Sequence, residues 1–391
     1  MIQLVKDTID NQDIDNLIGW LKTYPRLTKG NLTIEYEKKW SEFLGCKYSV
    51  FVNSGSSANL LMLYALIESG MIKVGDKVVV PAVSWSTDLT PVIQLGLEPV
   101  LCDCNMTDLS VDLEDLQNII AIHKPSALIL VSVLGMVPDM DAITKICEDN
   151  NVVLLEDACE SLGSKYEGQS LGTFGLMSSF STYFGHHIST IEGGMICTND
   201  KKIFNLLKSL RSHGWDRDMD EDEVVKIRQK YSIGDDFDSL YKFYYYGFNL
   251  RATDLQAFIG LNQLEKVDKV ITNRNNNYNR YKELIFNDFW TPQRSSEENY
   301  ISNFAYPMIH PKRKEIVKGL KKNNIETRPL ICGSLGQQPF WIKRYGEIKF
   351  KNAGLVNDYG FYLPNNHQLT DEEIQLVCKV VNESTRTEDK K

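Results

Sequence analysis

Short apolar runs separated by turn residues and by helical stretches punctuate the first 160 positions. Residues 77–83 (Lys-Val-Val-Val-Pro-Ala-Val), 127–133 and 152–157 read as buried strands, and 57–69, 113–123 and 139–150 carry the spacing of helices. That alternation predicts a mostly parallel sheet with crossover helices. Asp112 stands where an N-cap belongs, and Thr370 followed three residues later by Glu373 forms a capping box that opens the last helix. A long helical region from 253 to about 286 leads into a second unit, with a strand over 304–309 and a helix over 314–323. The expected division is a large domain, 1–270, and a small α+β domain, 271–391. Between Trp215 and Tyr246 the chain is first acidic and then aromatic, the pattern either of a mobile flap or of a solvated surface excursion. Residues 382–391 are polar and expected to fray.

Composition narrows the function classes. The 391 residues are 42% hydrophobic and 24% charged, with a formal net charge of -9 and no basic stripe, which speaks against nucleic acid as a partner. No run approaches the roughly 20 apolar residues needed to cross a bilayer, and the first residues lack a secretory apolar region, so the expected place is the cytoplasm, away from membranes. The eight cysteines are scattered and mostly sit in apolar runs, as buried thiols do in a reducing compartment. Cys102 and Cys104 have no second pair nearby, and no metal site is expected.

Three features carry candidate chemistry. Asn53-Ser54-Gly55-Ser56-Ser57-Ala58-Asn59 is a small, hydroxyl-rich turn feeding a helix, the pattern of a phosphate seat or of an ordinary capped turn. Asp157 ends a strand at the sheet edge where open α/β folds bind ligands; it is placed to hold a protonated ring nitrogen, or is a cap or surface carboxylate. Trp85, just past another strand, is a stacking surface or a core side chain.

The segment Ser181-Thr182-Tyr183-Phe184-Gly185-His186-His187-Ile188-Ser189-Thr190-Ile191-Glu192-Gly193-Gly194 is more specific. It resembles the cofactor loop of the DegT/DnrJ/EryC1/StrS sugar aminotransferases, in which a serine is followed after five residues by a lysine and after six more by Glu-Gly-Gly. Here His186 fills the lysine position. Leu27-Thr28-Lys29-Gly30, Gly247-Phe248-Asn249-Leu250-Arg251 and Glu326-Thr327-Arg328-Pro329-Leu330 follow the same family pattern in order. The resemblance implies the type I aminotransferase fold, a homodimer with shared active sites, and pyridoxal 5'-phosphate or pyridoxamine 5'-phosphate as cofactor. It places Ser56, Ser57 and Ser181 on the phosphate, Asn249 on the same phosphate from the partner subunit, Asp157 at the ring nitrogen, Trp85 on the ring and Glu160 beside the cofactor. His213, Arg251 and Arg328 become contacts for substrate or for L-glutamate.

An imidazole cannot form the imine link that a lysine amine makes with the cofactor aldehyde, but it can move a proton near neutral pH. The resemblance therefore extends to the family's 3-dehydratases, with the aminated cofactor as working form, a nucleotide-linked keto sugar (GDP-4-keto-6-deoxy-D-mannose foremost) as substrate and glutamate as amino donor. His186 is the expected base, by its register to Glu192; His187 is the adjacent candidate. Only Cys197, Cys332 and Cys378 follow the histidine pair, too few for the four-cysteine iron–sulfur cluster of related CDP-sugar enzymes. Gln338-Pro339-Phe340-Trp341 keeps a feature of aminotransferase members, and sugar amination is the alternative reaction; a non-catalytic sugar-binding relative is the other reading.

Overall fold

The computed structural model describes residues 1–385. Its centre is a seven-stranded sheet built from β1 (Tyr48–Val52), β2 (Lys77–Pro81), β3 (Glu98–Cys102), β4 (Ala127–Val131), β5 (Val153–Asp157), β6 (Met177–Ser181) and β7 (Gly194–Thr198), in the order β1-β7-β6-β5-β4-β2-β3. β2 is parallel to β3 and β4, β4 to β5, and β5 to β6; β7 alone runs antiparallel, between β1 and β6. Helices cover both faces, which explains why the strands read as unbroken apolar runs. Alternate residues still divide between the faces. Val78 and Val80 pack with Leu61 and Leu66 of the helix Gly55–Glu68, while Val79 packs with Leu116 and Ile143 of helices on the other side.

The strand and helix positions expected from sequence are present, with shorter strands. β2 ends at Pro81 and β4 at Val131 because the chain then turns over the sheet edge. The Ala82 carbonyl accepts from Leu335 N at 2.8 Å, and Val133–Gly135 forms a 3-10 turn with Leu134 at φ 52°. Asp112 caps the helix Leu113–His123 by accepting from Asp115 N at 2.9 Å.

The expected long helix over 253–286 is two helices, Asp254–Leu264 and Val267–Leu284. Lys266 stands at the break, where its ammonium pairs with Asp10 at 2.7 Å and Asp13 at 2.9 Å, tying the joint to the N-terminal helix Asn11–Leu21. Beyond it, β8 (Tyr306–Ile309), β9 (Arg328–Pro329) and β10 (Gly360–Leu363) form an antiparallel sheet in the order β8-β10-β9, backed by the helices Arg313–Lys322 and Asp371–Thr385. The Thr370–Glu373 capping box is formed, with bonds of 3.1 and 3.2 Å. Residues 382–385, expected to fray, continue that last helix, where Asn382 bonds the Leu284 carbonyl; the rest of the tail lies outside the described residues.

The acidic stretch after Trp215 is largely ion-paired. Asp216 meets Arg228 at 2.8 Å, Asp218 meets Lys29 at 3.0 Å and Asp220 meets Lys208 at 2.7 Å, around the helix Glu221–Lys230. Among the described residues no helix is long and apolar enough to cross a membrane.

Candidate active site

The carboxyl ends of β1, β2, β5 and β6 and the start of β7 meet along one edge of the sheet, the edge that open α/β folds use for ligands. After β1 the chain reaches Ser54, whose hydroxyl caps the helix Gly55–Glu68 by accepting from Ser57 N at 3.0 Å. The first turn of a helix carries N–H groups without intrahelical acceptors; here that turn includes Ser56 and Ser57. A Cβ on Gly55 would stand 2.9 Å from Ser181 Cβ and 3.0 Å from Cys159 Sγ, and one on Gly194 would overlap the Ser54 carbonyl group. Glycine is therefore what lets the loop after β6 close on the helix start. Gly194→Ala is expected to destabilise the protein by about 1–3 kcal/mol, read as a lower thermal midpoint, because the obstacle is main chain and cannot swing aside.

Asp157 is nearly buried at the end of β5. Its carboxylate accepts from Asn59 Nδ2 at 2.6 Å and from Cys159 N at 2.8 Å. The same Asn59 amide reaches Asp88 at 3.0 Å, and Asp88 also accepts from Ser84 Oγ at 2.5 Å and Trp85 N at 3.1 Å. Burial first, and then the neighbouring charge of Asp157, push the Asp88 carboxyl well above its ordinary range. Trp85 begins the helix Ser86–Gln94 and leaves 55% of its surface exposed.

The loop between β6 and β7 separates its two histidines. His187 is buried, with Nε2 3.1 Å from the Ser302 carbonyl. His186 lies within the field of Asp157 and beside the Phe304 ring, 5.2 Å between centroids. Burial lowers the His186 ring to about 4, opposed by the attraction of Asp157 and the Cys159 carbonyl and reinforced by the charge of Arg274.

Glu160 accepts from Leu134 N at 2.7 Å, and burial, assisted by Asp157, pushes its carboxyl up to about 8. Tyr362 of β10 lies within the field of both Glu160 and Arg328, pushed up to about 12 mainly by burial. Through it Arg328, exposed on β9, joins the edge of the crevice.

Beside the end of β1, Arg251 bridges by its main chain to Val52, and the Leu250 carbonyl accepts from Asn53 N at 3.0 Å. His213 stacks edge-on against Trp215 at 5.3 Å, Arg251 lies 5.8 Å over the same indole, and exposed Asn249 pairs by its main chain with Ser212. Sequence reading passed over Asp88, Tyr362 and Arg274. Asp88 left a signal in its four-residue spacing from Ser84; the other two reach the site only through tertiary packing.

A GDP-4-keto-6-deoxy-D-mannose 3-dehydratase of Yersinia pseudotuberculosis is 35% identical over 389 residues, covering 97% of this chain and 97% of the relative. The structure of the E. coli enzyme of that name with bound hydrated PLP matches with a TM-score of 0.88 at 31% identity, over 97% of this chain and 100% of the other. A structure of GDP-4-keto-6-deoxymannose-3-dehydratase with a trapped PLP-glutamate geminal diamine matches with the same TM-score at 30% identity, over 97% and 100%. Residues 7–382 match the model of the DegT/DnrJ/EryC1/StrS aminotransferase family. With its single antiparallel strand in a parallel sheet and its serine–histidine–Glu-Gly-Gly loop at the sheet edge, this chain of type I aminotransferase fold belongs to that family.

Proposed function

We propose that the protein is a pyridoxal phosphate-dependent sugar 3-dehydratase that removes the C3 hydroxyl of a nucleotide-linked 4-keto-6-deoxy sugar, GDP-4-keto-6-deoxy-D-mannose, with L-glutamate as amino donor. The observation that carries this reading is His186 facing Asp157 from the cofactor loop, with Asp157 held by the Asn59 and Cys159 N–H donors rather than by an ammonium group.

The residues present fit the cofactor. Asn59 Oδ1 and His186 Nδ1 are buried polar atoms without a partner among the described residues, and the Trp85 indole offers a half-exposed apolar face. Ser56, Ser57 and Ser181 with the helix start would bind the phosphate, and the glycines that keep this corner open leave room for it. Asp157 would hold a proton on the ring nitrogen. Glu160, protonated at neutral pH, would donate a hydrogen bond beside the ring. Bound pyridoxal or pyridoxamine phosphate supplies an electron sink and an amino group exchanged with glutamate.

The work of the chain is then positioning and proton transfer. His186 moves the proton at the cofactor carbon that bears the amine, and its neutral ring is ready to accept one at pH 7. Trp85 shields one face of the ring from water. Arg328 would meet a carboxylate or a phosphate. The overall change balances without an external reductant: glutamate is oxidised to 2-oxoglutarate with release of ammonia, and the sugar loses one oxygen. The family resemblance implies a homodimer with shared active sites, in which Asn249, His213 and Arg251, set beside Ser212, Trp215 and Val52, would serve the partner's crevice. We place the enzyme in the cytoplasm, in the synthesis of a deoxysugar of the colitose class for lipopolysaccharide.

The test is incubation with pyridoxal phosphate, glutamate and GDP-4-keto-6-deoxy-D-mannose, with assays for ammonia and for the mass of the sugar. Free ammonia and a product lighter by one oxygen are expected. An amine retained on the sugar makes the protein an aminotransferase, and the absence of any cofactor absorbance after mixing removes both readings.

A further inference from the structure

The helix Val267–Leu284 carries a buried cation to which the proposed reaction gives no task. Arg274 is 1% exposed, and burial alone lowers its guanidinium to about 10, with no acid partner to offset it. Its hydrogen bonds go to main-chain carbonyls. Nη1 donates to Phe304 at 2.8 Å, Asn365 at 2.8 Å and Asn303 at 3.5 Å, and Nη2 donates to the carbonyl of His186 itself at 3.3 Å. Nε has no partner among the described residues. A buried charge in such a setting is expensive, and apolar side chains of similar volume often serve stability better.

The surroundings connect this cation to both titratable groups of the crevice. Asn365 Nδ2 donates to the carbonyls of Arg274 at 3.1 Å and Asn303 at 3.0 Å; Asn303 Nδ2 donates to the Leu134 carbonyl at 2.6 Å; and Leu134 N donates to Glu160 at 2.7 Å. The groups facing His186 are Asp157 at the end of β5, Arg274 on its helix, His187 next to it on the loop, the Cys159 carbonyl, and the rings of Tyr183 and Phe304. Asp157 and Arg274 are the two opposed charges in that set.

We propose that Arg274 is a positioning residue that acts through His186: its guanidinium fastens the main chain of the proton-transfer residue to the carbonyls of Phe304 and Asn365, and its unpaired charge opposes the pull of Asp157 on the ring. The inference rests on the proposed role of His186 in proton transfer. Burial and Arg274 act in the same direction on the ring, keeping it in the form that accepts a proton. The clamp also joins the cofactor loop to the segment that includes Asn365, so movement of that segment would be felt at the base.

The experiment is an NMR titration of imidazole-labelled holoenzyme without substrate, with the His186 signal assigned by its loss in His186→Asn. In Arg274→Met the His186 midpoint rises by about one pH unit, and the acid limb of kcat/KM rises with it. In Arg274→Lys, which keeps the charge but cannot span the four carbonyls, the midpoint stays and kcat falls by about ten- to a hundredfold at unchanged cofactor affinity. An unmoved midpoint in folded Arg274→Met, or an Arg274→Lys enzyme as active as the parent, overturns the proposal. Should Arg274→Met not fold, Arg274→Lys decides: loss of kcat in a fully folded protein supports the clamp, and a loss that only tracks the folded fraction overturns it. Because the titration needs no turnover, a protein that fails to dehydrate the sugar still reports whether Arg274 governs His186, and the two failures are told apart.

Discussion

Replacing His186 by asparagine lowers turnover by about 10²–10⁴-fold, the usual contribution of a positioned general acid–base group, while cofactor absorbance after mixing with pyridoxal phosphate persists. The phosphate seat, Trp85 and Asp157 stand on other elements, so the cradle remains when the ring is removed. His187→Asn has the opposite signature. It disturbs the buried bond to the Ser302 carbonyl, at a cost of about 1–3 kcal/mol, and leaves turnover per folded molecule near that of the parent. If His187→Asn abolished proton exchange and His186→Asn did not, the assignment of the two rings would be reversed.

The same residue predicts a pH dependence. The folded protein holds His186 near 4, below the ordinary value of 6.5. As pH falls from 6.5 toward 4, the unfolded chain takes up a proton that the folded one refuses, so stability is lost on acidification across that window. Glu160 acts on the alkaline side. Its folded value near 8 lies above the ordinary 4.5, so the unfolded chain releases its proton first and stability is lost as pH rises from 4.5 toward 8. Thermal midpoints measured from pH 4 to 9 should show both slopes; His186→Asn should make the acid slope shallower and leave the alkaline one unchanged, with buried His187 and partly buried His367 contributing to what remains of the acid slope.

Much of the architecture was legible because it depends on local patterns. The apolar runs at 77–83, 127–133 and 152–157, Asp112 before a helix and Thr370 with Glu373 are statements about neighbouring residues; both caps appear where expected, and each run holds a shorter, five-residue strand. The break at Lys266 was not legible, because its cause is an ion pair with Asp10 and Asp13 some 250 positions away in sequence. The site divides in the same way. The loop Ser181 to Gly194 announced itself through spacing, and the closure of that loop on Ser54 is a consequence of its glycines. The separation of His186 from His187 depends on Ser302 and Arg274, which come from the far side of the chain. Asp88 lay in plain view in Ser84-Trp85-Ser86-Thr87-Asp88, but its coupling to Asp157 arises only when the ends of β2 and β5 meet over Asn59.

That coupling gives the second large effect. Asp157→Asn is expected to lower turnover by on the order of 10²–10³-fold, the scale seen when one fixed electrostatic partner of a transition state is removed, with little change in the thermal midpoint. Asparagine keeps the shape of the side chain, but Asn59 Nδ2 and Cys159 N donate to different oxygens of Asp157, so the single amide oxygen keeps one of these bonds and the NH2 group meets the other donor, at a cost of about 1–3 kcal/mol. The amide cannot hold a proton on a ring nitrogen, and the electron sink is weakened accordingly. For stability the substitution removes a charge that stands beside Asp88 and raises its carboxyl. Relief of that repulsion offsets the lost hydrogen bond, so the thermal midpoint should stay near that of the parent while turnover falls. Turnover and thermal denaturation measured on the same preparation check both halves. A midpoint that falls together with activity would mean that Asp157 serves the fold rather than the chemistry.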